Sequence, residues 1–198
     1  MMKKPKLFCK SKRFDLRPYQ AGDFPAWKAA HLDALPKQNE FDQDKKTDAE
    51  LTKAEFKKFL AKNEKYRKEE SIYYFGVFER RTGRLMGYVL FALVARFNVQ
   101  SARISYSVFN NYGKHGYGKE MVDAAVGFAF RTLKLHRLEA EIQPHNRASI
   151  ALAEGLGFRY EGIRRGAVYF DRKWHDHAIY AILAEDRGVR NPRPSVFR

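Results

Sequence analysis

The stretch Tyr112-Gly113-Lys114-His115-Gly116-Tyr117-Gly118-Lys119-Glu120-Met121 decides how this chain is read. Glycines 113, 116 and 118 are interleaved with Lys114, His115 and Lys119. An apolar helical pattern follows at once in Met121, Val122, Ala124, Ala125, Val126 and Phe128. Before it stands Ile104-Ser105-Tyr106-Ser107-Val108-Phe109, which reads as a strand. The order is strand, glycine-rich loop, helix. Glycine tolerates unusual φ and lets a ligand approach the backbone. A helix N-terminus adds unpaired N–H groups and a positive dipole end, which together suit phosphate. No G-x-G-x-x-G runs through the glycines and no Gly-Lys-Ser/Thr occurs here, so neither the dinucleotide fingerprint nor the P-loop is present. On the residues alone the stretch is either a tight turn or an anion cradle with its ligand open.

Outward from this loop the chain alternates short elements. Residues 13–18 read as a first strand, and Asp23 as the cap of a helix through Trp27 and Leu32. Thr47-Asp48-Ala49-Glu50 has capping-box spacing ahead of a helix to about Lys68. Two strands, 72–78 and 85–91, flank a turn with Gly83 available for positive φ. The helix after the glycine loop reaches about Leu133. Leu138-Glu139-Ala140-Glu141-Ile142 is the next strand, alternating apolar and acidic. Pro144 breaks it, Asn146 caps a short helix to about Glu154, and strands near 158–170 and 173–183 close the order. A mostly antiparallel sheet with one β–α–β segment and helices around it is an α+β domain.

The chain has 198 residues, enough for one domain, here set at 13–185, with a basic arm over 1–12 and a loose basic tail over 186–198. No run of about 18 apolar residues is present, so no membrane helix is expected. The lysines of the arm are followed by no apolar h-region, which reads against a secretory signal. A single cysteine, Cys9, fits a reducing compartment and a cytoplasmic location. The formal net charge of +15 predicts attraction to polyanions, ribosomal RNA among them.

The loop resembles the acetyl-coenzyme A pyrophosphate loop of the GNAT superfamily of N-acetyltransferases, Gln/Arg-x-x-Gly-x-Gly/Ala. Gly116-Tyr117-Gly118 matches its second half, while Gly113 stands where Gln or Arg would be. Asn146-Arg147-Ala148-Ser149, Leu156-Gly157-Phe158 and Glu161-Gly162 resemble a second block, found in the Rim-type enzymes that acetylate N-termini of ribosomal proteins. The resemblance covers about residues 13–185. It implies a sheet splayed between the strand before and the strand after the loop helix, with the donor's pantetheine arm against Val108 and Phe109. It implies acetyl-coenzyme A as co-substrate and no metal. It places the pyrophosphate on Gly113, Lys114, His115, Gly116, Tyr117, Gly118 and Lys119, and an oxyanion donor in a backbone N–H near Val108 or Phe109.

The same resemblance assigns Ser149 to the leaving thiolate, beside Asn146, whose bland role is a helix cap. The strand before the loop carries no acid, so Glu141 on the next strand is the candidate base, with Glu139 its alternative and solvated charge the plain reading of both. An α-amine titrates near 7.7–8.0 and is partly neutral at pH 7, whereas lysine near 10.4 is almost wholly charged. A missing base therefore favours a protein N-terminus as acceptor. A small anionic amine such as an amino sugar nucleotide, and an inactive scaffold that binds RNA or ribosomes, remain the competing readings.

Overall fold

The computed structural model describes residues 6–113 and 115–190. Lys114, the start of the arm (1–5) and the tail from 191 lie outside the described residues. The fold is mixed α+β, on an eight-stranded, mostly antiparallel open sheet of order β1-β2-β3-β4-β5-β6-β8-β7. The chain divides into two compact units, Met1–Phe91 with Tyr106–Ala125, and Ala92–Ser105 with Val126–Arg198.

The first unit begins with β1 (Cys9–Lys10) and β2 (Phe14–Arg17), paired antiparallel. The arm is therefore partly strand, because Cys9 and Lys10 find a ladder on Leu16 and Asp15. Helices α1 (Phe24–Asp33) and α2 (Lys53–Lys68) precede β3 (Ile72–Glu79) and β4 (Leu85–Ala95). Thr47 and Glu50 do form a capping box, but it closes a single 3-10 turn. Leu51 then leaves helical geometry, and α2 starts afresh with Thr52 accepting from the Glu55 N–H. The Asp23 side chain does not cap α1; its carboxylate binds Arg17 and accepts from the Gln20 N–H, closing the 3-10 turn ahead of the helix. The core here is aromatic: Trp27, Leu51, Phe56, Phe78, Leu85 and Phe109 pack as one buried cluster.

In the second unit β5 (Ser101–Val108) opens parallel to β6 (Arg137–Ile142). The ladder holds three pairs, Ser101↔Arg137, Ala102↔Leu138 and Arg103↔Glu139. Beyond Arg103 the two strands part, although β6 continues to Ile142 on the antiparallel strand β8 (Lys173–Leu183). Helix α4 (Arg147–Glu154) follows β6, and β7 (Arg159–Phe170) forms a hairpin with β8. The alternation read in β6 is the observed one: Leu138, Ala140 and Ile142 are buried, and Arg137, Glu139 and Glu141 are half-buried. Helix α3 (Tyr117–Arg131) buries Met121 and Val122 in the first unit, and Val126, Ala129 and Phe130 in the second. That spacing is one face of a helix.

Candidate active site

The strand that leads to the glycine loop ends one residue earlier than the sequence suggests, at Val108. The Phe109 N–H donates to the Met86 carbonyl on β4 at 3.0 Å. That N–H is spent, which leaves Val108 of the two positions expected to supply an oxyanion donor. Alternation along an extended chain turns the N–H before it, that of Val108, to the opposite edge. Here β4 and β5 approach so closely that a Cβ on Gly87 would lie 2.1 Å from the Ser107 carbonyl oxygen. Gly87 read as an ordinary strand residue; only the register shows that no side chain fits there.

Past Val108 the chain makes a 3-10 turn (Asn110–Tyr112). The Asn110 side chain accepts from the Leu35 N–H at 2.8 Å and donates to Asp42 at 3.1 Å, fixing the 35–42 segment against the turn. The loop then reaches α3 through Gly116, at φ 71°, where an added Cβ would meet nothing within 4 Å. A glycine in left-handed geometry thus opens clear space at the helix start. The first intrahelical bond runs from the Glu120 N–H to the Gly116 carbonyl at 3.3 Å. The N–H groups of Tyr117, Gly118 and Lys119 precede it and have no acceptor within the helix.

Two side chains shape this end. The His115 ring nitrogen Nδ1 lies 2.6 Å from the Gly113 carbonyl, and the ring stacks on Tyr117. Glu120 would oppose an anion, but its carboxylate accepts from the Ser11 hydroxyl and the Arg13 N–H, both at 2.7 Å, and from the Arg13 guanidinium. Burial alone would raise its pKa; the Ser11 and Arg13 bonds outweigh that and hold it below the usual range. Arg13, with Ser11 at the end of the basic arm, therefore neutralises the one acid of the first helical turn.

Beside the strand end lies a cavity of 660 Å³ that no sequence pattern announces. Its walls include Tyr19, Trp27, His31, Tyr74, Tyr88 and Phe109. His31, Gln43, Tyr88 and Phe109 also line a narrower cleft that takes in Gly87, Ser107 and Val108. Tyr74 and Tyr88 stack at 5.2 Å. Burial raises the pKa values of Tyr19, Tyr74 and Tyr88, so all three phenols stay neutral at physiological pH. The carboxylates on the lining are engaged: Glu50 by the Thr47 N–H and hydroxyl, Glu55 by Lys58 at 2.6 Å. Lys46 and Lys62 have no carboxylate in salt-bridge range among the described residues.

The remaining predicted site residues belong to the second unit. Asn146 caps α4, its Oδ1 accepting from the Ser149 N–H at 3.1 Å. Glu141 is not solvated. Its Oε1 accepts from Arg103 and from Arg164, each at 2.6 Å, and ties β5, β6 and β7 together. Glu139 pairs with Arg137 at 2.8 Å, and Arg137 pairs again with Glu161. Among the described residues no group of three or more His, Cys, Asp or Glu is placed to hold a metal ion.

The model of the acetyltransferase (GNAT) domain matches residues 13–159, and the chain belongs to that family. Members of the family use acetyl-coenzyme A, and this protein is an acetyl-coenzyme A-dependent N-acetyltransferase. YjcK of Bacillus subtilis, described as a probable N-acetyltransferase, is 37% identical over 66% of this chain and 71% of its own. The [ribosomal protein uS5]-alanine N-acetyltransferase of Escherichia coli is 31% identical over 61% of this chain and 62% of its own. Mycobacterium smegmatis RimJ, solved with CoA-disulfide, superposes with a TM-score of 0.76 over 92% of this chain and 89% of its own, at 23% identity, which speaks for the fold. An open glycine at positive φ, a helix N-terminus and an ion-paired Glu120 are features that suit an anion.

Two outcomes follow from this geometry. Gly116→Val places a branched side chain in left-handed backbone, and should weaken coenzyme A binding about tenfold or more through strain alone. Calorimetry showing native affinity would remove the loop from the donor site. His31 is pushed down to about 4 by burial, with the Lys46 charge adding to it. An unfolded histidine takes its proton near 6.5, so stability should fall as pH drops through 6.5 and level off below about 4. His31→Gln should flatten that fall in urea titrations; equal slopes in both proteins would show that His31 contributes nothing to it.

Proposed function

We propose that the acceptor is the α-amine at the N-terminus of a protein, with a ribosomal protein as its class, and that the amine enters the tyrosine-lined cavity. The observation that carries this is the cavity's chemistry. Neutral phenols, a neutral imidazole and aromatic faces hold an amine by hydrogen bonds and ring contact without fixing its proton. Engaged carboxylates leave no anionic cage for a polyamine. An α-amine is already partly neutral at pH 7, and Lys46 and Lys62 lower the pKa of a bound amine further by like charge. The name of the uS5-alanine enzyme agrees with this acceptor class.

Acetyl-coenzyme A brings the thioester whose carbonyl the amine attacks. In this reading the amides of 117–119 and the loop from Gly113 hold the pyrophosphate, with Lys114, His115 and Lys119 adding charge around it. The Val108 N–H polarises the carbonyl. The Ser149 hydroxyl gives its proton to the leaving thiolate and takes back the proton that the attacking amine loses, and Asn146 fixes the helix turn that carries Ser149. Glu141 serves as a charged clamp within Arg103 and Arg164 rather than as the base. The net charge of +15 exceeds what a single coenzyme A requires, so the acceptor is met docked on ribosomal RNA or an assembly particle.

The test is an acceptor panel read by mass spectrometry. A peptide with a free N-terminus should outrun the same peptide blocked at its N-terminus but carrying lysine, and should outrun spermidine and an amino sugar nucleotide. A faster small amine would overturn the reading. Transfer to a ribosomal particle should exceed transfer to the peptide, with the advantage shrinking between about 50 and 200 mM salt. Ser149→Ala should lower kcat more than it raises the donor KM, because thiolate stabilisation belongs to the transition state. An unchanged kcat, with chemistry rate-limiting, would leave Ser149 a helix-turn residue.

A further inference from the structure

The β7–β8 hairpin carries a set of exposed large side chains, two of them at its distal end. Trp174 is 67% exposed, Tyr169 58%, Tyr160 55% and Ile163 46%. Tyr169 and Trp174 are cross-strand partners, and their rings meet at 5.3 Å. Strand alternation puts Phe170 and His175 on the other face, stacked at 3.6 Å. The turn is two residues, Asp171 and Arg172, both at positive φ (49° and 61°), the geometry that matches strand twist and holds a hairpin rigid. Trp and Tyr exposed to this degree serve neither the core nor the loop described above.

The charges beside these rings are mainly positive, with Asp171 of the turn an exposed acid among them. Arg165, Arg172 and Lys173 are exposed and have no carboxylate in salt-bridge range among the described residues. Two nearby acids are engaged. Asp176 accepts the Gly166 N–H at 2.8 Å, and Glu161 pairs with Arg137 at 2.8 Å. The His175 Nε2 is buried without a hydrogen-bond partner. Exposed flat rings interleaved with unpaired cations suit a chain of stacked bases joined by phosphates. A second copy of the protein suits them poorly, because a two-fold contact would set Arg165, Arg172 and Lys173 against themselves.

We propose that the β7–β8 hairpin binds single-stranded RNA, with bases stacking on Trp174 and Tyr169 and with Arg165 and Arg172 meeting phosphates, while Lys173 adds positive charge from the opposite face. The inference deepens the docking part of the proposed function and is independent of the transfer chemistry. It places RNA contact on this hairpin rather than on the basic arm or tail.

The experiment uses the full chain and a labelled oligouridine of about 12 nucleotides, within the range one such surface covers. Trp27 is 6% exposed, so quenching on RNA addition reports on Trp174. Addition of RNA should quench the emission. Affinity by anisotropy should fall at least about fivefold in Trp174→Ala and in Tyr169→Ala, the loss expected for one stacked base. Trp174→Phe should restore most of it, and Arg165→Ala should reduce the salt slope by about one contact. Urea unfolding of each variant checks that the hairpin still folds. RNA binding with native affinity in Trp174→Ala would overturn the hairpin site and leave docking elsewhere on the basic surface. No RNA binding at about 50 mM salt would overturn both. Sedimentation as a dimer that Trp174→Ala dissolves, without RNA affinity, would assign the rings to self-association instead.

Discussion

Three backbone pairs hold β5 to β6, and then the ladder stops. Extended backbone cannot leave its N–H and C=O groups unpaired without cost, so a strand that parts from its neighbour must be fixed in some other way. On one side β6 keeps its ladder with β8 through Ile142↔Ala178. On the other, the end of β5 is held to β4 by the bond from the Phe109 N–H to Met86, and by an approach at Gly87 that admits no side chain. Glu141, shared by Arg103 and Arg164, adds an ionic tie close to where the ladder ends. The glycine loop inherits its position from that held strand end.

The electrostatics of the glycine loop and of the cavity follow opposite rules. At the helix start, positive character is kept by removing the nearest acid, since Arg13 and Ser11 take up the Glu120 carboxylate. In the cavity, charge is kept away from the aromatic walls. Burial leaves Tyr19, Tyr74, Tyr88 and His31 neutral, and the lining carboxylates are used by a cap and by an i,i+3 pair. A site for a phosphate needs fixed positive dipoles. A site for a nucleophilic amine needs groups that do not hold its proton.

Much of the fold was legible in the sequence because its signals are local. Apolar spacing marks α3, strict alternation marks β6, and Asn146 three residues before Ser149 marks the cap of α4. Gly116 and Gly118 ahead of a helix gave the loop, and two blocks in order gave the family. Each depends on residues within a few positions of one another, where backbone geometry alone sets which side chains share a face.

What only the tertiary structure decided depends on register and on distant partners. No pattern announces that the Phe109 N–H is spent on Met86, that Gly87 faces the Ser107 carbonyl, or that Glu141 sits between Arg103 and Arg164. Nor does sequence order reveal that Tyr19, His31, Tyr74 and Tyr88, drawn from four separate segments, wall one cavity. Side-chain type and spacing fix which elements form. Which groups then neutralise, clamp or crowd one another is fixed by the packing of segments tens of residues apart, through contacts whose energies depend on ångström-scale approach.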